Sequence, residues 1–213
     1  MSAPEIGREI VILDARAARA SVRVVSQASV ADLARPTPCA DWRLAELLAH
    51  MTAQHNGFAA AAAGDGGDLV HWQTGAPVAD PVGEYAAAAE RVIAAFAAAV
   101  VPAREFVLPE ISPELRFPAV VAIGFHFVDY VVHGWDVART LGRDYDLEPD
   151  VLAAAVAIAR AVPDGERRRA ARGSVRAPGR RDQRRRAGPD CRTARSTARL
   201  AEVRPELPLS HGR

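Results

Sequence analysis

Lysine is absent from this chain, and all 27 of its basic residues are arginine. Together with the abundance of alanine, glycine and proline, this indicates a GC-rich genome; it is not a sign of nucleic-acid binding. Cysteine is also scarce, since the chain has only Cys39 and Cys191, and this excludes a disulfide-rich secreted scaffold. No apolar run reaches the roughly 18 to 20 residues that a membrane-spanning helix needs.

The N-terminal segment lacks the pattern of a secretion signal. Glu5, Arg8 and Glu9 occupy the region where a basic segment would be followed by an apolar one. We therefore expect a soluble, cytoplasmic protein. Its 213 residues are enough for one full domain and too few for two large ones.

Charge is distributed unevenly along the chain, although the formal net charge is only +1. Residues 1–166 contain 12 arginines and 22 acidic residues, whereas residues 167–213 contain 15 arginines and 4 acidic residues. The composition therefore predicts a domain over residues 1–163, followed by an Arg-rich tail over residues 164–213.

Three interpretations of the tail are open. It shows no helical or strand periodicity, which is typical of a disordered basic arm. A basic arm could also bind RNA or a membrane, but no aromatic residues are interleaved to stack on bases. We favour a third interpretation, translation out of frame, because GC-rich codons chosen for residues 190–206 encode an amphipathic helix end in another frame.

Hydrophobic periodicity predicts a bundle of helices before the tail. A region with two short extended stretches around residues 104–118 is expected to form a small hairpin or a lid. Asp41 is placed to cap the second helix. Four long helices with polar groups projecting inward predict an all-α four-helix bundle with an extra helix and a site in its core. The predicted helices run from about Pro4 to Ser26, Trp42 to Ala63, Val82 to Val101, Ala119 to Leu141 and Pro149 to Ala161.

The segment FHFVDYVVHGWDVA, residues 125–138, carries polar side chains on one stripe of an otherwise apolar helix. At about 100° per residue, His126, Asp129, His133 and Asp136 fall within an arc of roughly 80°. Burying carboxylates and imidazoles without partners costs several kcal/mol. A bound metal ion would compensate for that cost.

The predicted metal ligands are His50, Asp129 and His133. Asp129 and His133 are one turn apart on the fourth helix, and His50 lies close to the apolar face of the second helix. Two imidazoles and one carboxylate suit zinc or another divalent cation. Three protein ligands leave a coordination position for water or substrate, which is typical of catalytic sites.

Neighbouring polar residues have alternative interpretations. His126 could be a fourth ligand or a proton shuttle, but a histidine of the core or its rim is favoured. Asp136 could orient His133 or form a salt bridge with an arginine. His55, five residues after His50, is expected at the surface, and Cys39 is expected to pack in the interior.

The segments RPTPCADWRLAELLAHM (residues 35–51) and FVDYVVHGWDVARTLG (residues 127–142) resemble the two signature segments of the mycothiol-dependent maleylpyruvate isomerase N-terminal domain family. The resemblance covers about residues 10–162 and is greatest for short members that lack the isomerase's C-terminal domain. It implies a DinB-like four-helix bundle that binds a divalent metal, typically zinc, through His50, Asp129 and His133. The characterised isomerase has glutamate at the acidic position, so the shorter Asp129 is expected to alter metal distance or affinity.

The resemblance also implies a reaction and its partners. The thiol of mycothiol would bind the open metal position as a thiolate, because coordination lowers the pKa of a thiol. It would then add to an activated double bond of a small electrophilic substrate. The expected function is a metal- and thiol-dependent isomerase or transferase, with no nucleic-acid or membrane partner.

Two rival functions remain open at this point. No acid–base pair is visible beyond the ligands, which favours a non-catalytic bundle that binds a metal or small ligand in stress response or partner recognition. A truncated or frame-shifted product without activity is the other alternative.

Overall fold

The computed structural model describes residues 2–39, 42–99 and 104–161, which form a helical bundle with one small hairpin. Helices α1, α2, α3 and α4 form the bundle: α1 packs against α3 and α4, and α2 packs against the same two helices. Helix α5 packs on α4. This confirms the predicted all-α bundle with an extra helix. The elements in chain order are α1 (Ala3–Val25), a 3-10 helix (Val30–Ala34), α2 (Leu44–Ala63), a 3-10 helix (Leu69–Trp72), α3 (Pro81–Ala98), β1 (Glu105–Val107), β2 (Arg116–Pro118), α4 (Ala119–Leu141) and α5 (Pro149–Ala161).

The predicted helix boundaries agree with the structure to within a few residues, and those of α4 and α5 agree at both ends. Helix α2 begins two residues later than predicted. Arg43 is its N-cap residue, and the Arg43 N–H donates to the Glu46 carboxylate at 2.8 Å. The predicted cap Asp41 and the Arg-rich tail both lie outside the described residues, so the predictions made for them are not tested.

Local signals set the helix ends. Helix α2 ends at Gly64 and α4 ends at Gly142, whose φ angles of 98° and 67° lie in the left-handed region that favours glycine. Helix α3 begins with Pro81 after Asp80, whose side chain accepts a hydrogen bond from the Gly83 N–H at 2.9 Å. Each of these signals involves residues only a few positions apart in the sequence.

The predicted hairpin is confirmed, because β1 and β2 pair antiparallel with Phe106 opposite Phe117. Phe106 is buried and joins the larger of two apolar clusters inside the bundle. The smaller cluster includes Leu47, Met51 and Tyr130 and lies beside the predicted ligands. Although the helices are apolar, none in the described part of the chain is long and apolar enough to cross a membrane.

The loop after α2 is anchored to the bundle by Trp72. The Trp72 side chain is buried, and its indole N–H donates to the Gly66 carbonyl at 2.9 Å. Its ring meets the edge of Phe58, with centroids 5.2 Å apart, and lies directly over Gly57. Trp72 therefore covers an apolar surface that only the assembled bundle creates.

Candidate metal centre

The three predicted ligands come together where α2 and α4 face each other. His50 lies on α2, and Asp129 and His133 lie on α4. One ligand atom from each lies within 4.8 Å of the others. The His133 Nε2 atom is 3.5 Å from Asp129 Oδ1, and the His50 and His133 rings meet edge to face with centroids 5.5 Å apart. The structure therefore assembles two imidazoles and one carboxylate in one place.

The exposed fractions of these residues show which side of the centre is open. His50 is 7% exposed and His133 2% exposed, whereas the Asp129 side chain retains 21% of its accessible surface. The Trp42 ring lies against His50, with centroids 4.8 Å apart, and covers that side. Asp129 therefore marks the exposed side of the group.

Asp136 fixes the orientation of His133. Its Oδ2 atom is 3.1 Å from His133 Nδ1, and both side chains are buried. An ionised carboxylate can only accept, so His133 Nδ1–H donates to Asp136, while His133 Nε2 faces Asp129 at 3.5 Å. The orienting contact predicted for Asp136 is present, and such contacts typically fix metal-binding histidines.

Cys39 lies close to the same histidine. It is fully buried, in agreement with the prediction that it packs in the interior. Its Sγ atom, a nitrogen of His133 and an oxygen of Asp136 also lie within 4.8 Å of one another. His133 therefore belongs to two groups of closely spaced polar side chains.

A second buried polar group lies deeper in the bundle and consists of Asp14, His126 and His55; we call it the buried relay. His126 Nδ1 is 2.6 Å from Asp14 Oδ1, and His126 Nε2 is 3.0 Å from His55 Nδ1. Both ring nitrogens of His126 are therefore engaged within the relay. The favoured interpretation of His126 as a core histidine is confirmed.

His55 was placed at the surface by sequence reasoning, and that prediction was wrong. The residue is 0% exposed. Five residues after His50, it points about 140° further around the helix, but α3 and α4 cover α2 on different sides. Burial, together with the neighbouring His126 and Arg91, holds the pKa of His55 well below its usual range, so its imidazole is neutral at pH 7.

The ends of the buried relay carry unsatisfied atoms. Asp14 Oδ2 and His55 Nε2 are buried and have no hydrogen-bond partner among the described residues. A buried unsatisfied polar atom costs about 1–3 kcal/mol. Sequence reasoning missed Asp14, although a carboxylate between Leu13 and Ala17 on the apolar stripe of α1 was the signal that could have revealed it.

The sequence of the chain matches a known protein family. The sequence profile of the "Mycothiol maleylpyruvate isomerase N-terminal domain" matches residues 15–138, a range that includes His50, Asp129 and His133. Two uncharacterized proteins, from two strains of Mycobacterium tuberculosis, are each 28% identical over 154 residues, which cover 69% of this chain and 75% of the relative. No solved structure matches the chain. The resemblance noted in the sequence is thus confirmed: the chain belongs to the mycothiol maleylpyruvate isomerase N-terminal domain family, and its bundle is DinB-like.

Proposed function

We propose that the chain is a divalent-metal-dependent enzyme that uses a low-molecular-weight thiol, such as mycothiol, to isomerise or modify a small electrophilic substrate. Membership of a family described by mycothiol and maleylpyruvate isomerase supports the chemical class. The observation that carries the proposal is the convergence of His50, Asp129 and His133 within 4.8 Å. Two imidazoles and one carboxylate held this close together by two helices offer a divalent cation three ligand atoms at once.

The donor set fits a divalent cation, and zinc is the ion we propose. Two imidazole nitrogens and one carboxylate oxygen are ligands that zinc accepts, and three protein ligands leave room for an external one. The Asp136 contact already holds the His133 ring through its Nδ1 atom. A cation bound here would supply a Lewis-acid position and would lower the pKa of a thiol that reaches it.

The chain's own residues define how a thiol and a substrate would meet this centre. Asp129 lies at the exposed side, so both molecules would enter past its carboxylate. Trp42 shields His50 from water on its covered side, and a drier site strengthens every charge interaction within it. Asp136 keeps the His133 ring from rotating, because rotation would break a buried hydrogen bond.

Metal binding is tested first, by elemental analysis of the full chain purified without a chelating tag. We expect about one divalent ion per chain, with loss of that ion in His50→Ala and in His133→Ala. His71→Ala is the matched control, because His71 is a surface histidine paired with Asp65 at 2.9 Å and lies in the 3-10 helix Leu69–Trp72, outside the centre. If both ligand variants bind zinc as tightly as the parent, the assigned centre is wrong.

Catalysis is tested next with the metal-loaded protein, mycothiol and maleylpyruvate, and then with other small electrophiles bearing an activated double bond. Turnover that requires both the metal and the thiol would support the proposed enzyme. If the loaded protein binds metal but turns over none of these substrates, the non-catalytic binding function is the better description. The two assays therefore separate the metal centre from the reaction.

A further inference from the structure

Tyr130 contacts the buried relay and directly follows the candidate ligand Asp129 on α4. Its ring is parallel to the His55 ring, with an interplanar angle of 7° and centroids 3.8 Å apart, and it lies 4.3 Å from the His126 ring. Its hydroxyl donates to the backbone carbonyl of Met51. The whole side chain is buried, so both faces and the hydroxyl are held by protein.

The hydrogen bond of Tyr130 joins the two turns that carry the ligands. Tyr130 directly follows Asp129 on α4, and Met51 directly follows His50 on α2. A shift of α4 relative to α2 at this level would change the separation of the two ligands and would break this bond. The Tyr145 hydroxyl also donates to the Tyr130 carbonyl, at 3.2 Å, and holds the backbone of the same turn.

The buried relay fixes the surface against which Tyr130 stacks. His55 is tied through His126 to Asp14, so three side chains from α2, α4 and α1 form one hydrogen-bonded chain. Because Nδ1 of His55 is bonded, its ring cannot turn without breaking the relay. The parallel stack then limits where the Tyr130 ring can lie.

We propose that Tyr130 is a positioning residue for the metal centre. Its hydroxyl bond to Met51 and its stack on His55 hold the His50 and Asp129 turns at a fixed separation. This inference rests on the proposed function, since it concerns the geometry of that same centre. It assigns the buried relay a role in supporting the centre, which explains why unsatisfied polar atoms are retained in the core.

Tyr130→Phe tests the proposal, with Tyr85→Phe as its matched control. Tyr85 is also fully buried, its ring also faces His55 at 5.2 Å, and its hydroxyl is also hydrogen-bonded, but to Ser21 on α1. The full chain would be titrated with Co²⁺ to record the visible absorption bands, and with Zn²⁺ against a competing chelator. Urea unfolding of both variants would show whether they lose similar stability.

We expect Tyr130→Phe to weaken metal binding about tenfold or more and to alter the Co²⁺ bands, while Tyr85→Phe leaves the bands and the dissociation constant unchanged. An unaltered Co²⁺ spectrum and dissociation constant in Tyr130→Phe would overturn the positioning role. Failure of the parent chain to take up either ion would instead refute the metal centre itself.

A second variant covers the case in which Tyr130→Phe does not fold. His126→Gln interrupts the buried relay at its middle and leaves Tyr130 and both ligand turns intact. We expect it to alter the Co²⁺ bands in the same direction as Tyr130→Phe, because the His55 ring loses its tether. A His126→Gln protein with the parent's spectrum and affinity would show that the relay does not support the centre.

Discussion

Replacing Gly57 by alanine gives a direct test of how tightly Trp72 is packed onto the bundle. A Cβ atom on Gly57 would lie 2.3 Å from Trp72 Cδ2 and 2.4 Å from Cε3. Ordinary carbon–carbon contacts are about 3.5–4.0 Å, so the indole must shift by roughly 1 Å or more. The shift would strain the indole N–H bond to the Gly66 carbonyl and the edge contact with Phe58.

Three contributions decide the change in the free energy of unfolding. Forcing an extra methyl group into a packed core costs about 1–3 kcal/mol, and a weakened buried hydrogen bond costs about 1 kcal/mol more. Alanine is favoured over glycine within a helix by about 1 kcal/mol, which partly offsets these losses. We therefore expect a net loss of about 1–3 kcal/mol, with a fall in Tm of about 2–4 °C for each kcal/mol.

Gly124→Ala is the matched control, because Gly124 is also a buried glycine inside a helix. A Cβ there would meet the Ile158 side chain at 3.8 and 3.9 Å, which is ordinary van der Waals contact. With no overlap to oppose the helix preference, we expect Gly124→Ala to be more stable than the parent by about 0.5–1 kcal/mol. Urea unfolding followed by circular dichroism measures both; a Gly57→Ala protein as stable as the parent would refute the packing argument.

Two further predictions concern buried titratable groups near the candidate centre. Burial lowers the pKa of His55 in the folded protein, whereas the pKa of a histidine in the unfolded chain is about 6.5. Below about pH 6.5 the unfolded chain therefore binds a proton at His55 that the folded protein does not bind. The contribution of His55 to the free energy of unfolding should be constant above that pH and should fall as the pH is lowered from about 6.5 to 5. The fall is at most about 1.4 kcal/mol per pH unit for one proton, and the urea midpoint of His55→Gln should vary less over this range than that of the parent. Asp136→Asn removes the carboxylate that accepts from His133 Nδ1 and should weaken zinc binding about 10–100-fold in chelator competition; parent-like affinity would argue against the orienting role.

Much of the fold was predictable from local signals in the sequence. The periodicity of the hydrophobic residues predicts where the helices lie. Glycine, proline and aspartate near the helix ends predict where each helix begins or ends, because capping depends on residues only a few positions apart. The same period placed Asp129 and His133 on one face of α4. His50 was predictable as well, since it lies close to an apolar face of α2, and the structure brings all three residues together.

The remaining features depended on which helices pack against which faces. The helical periodicity of a sequence shows which residues share a face of a helix. It does not show that α2 packs against both α3 and α4, and for this reason His55 was expected in solvent. Asp14 joins His126 only because α1 packs on α4, 112 positions away in the chain. The sequence by itself determined the helices and the three candidate ligands. Tertiary packing decided that a buried relay and Tyr130 lie beneath them, because contacts between distant helices are not encoded in the spacing of residues along any one of them.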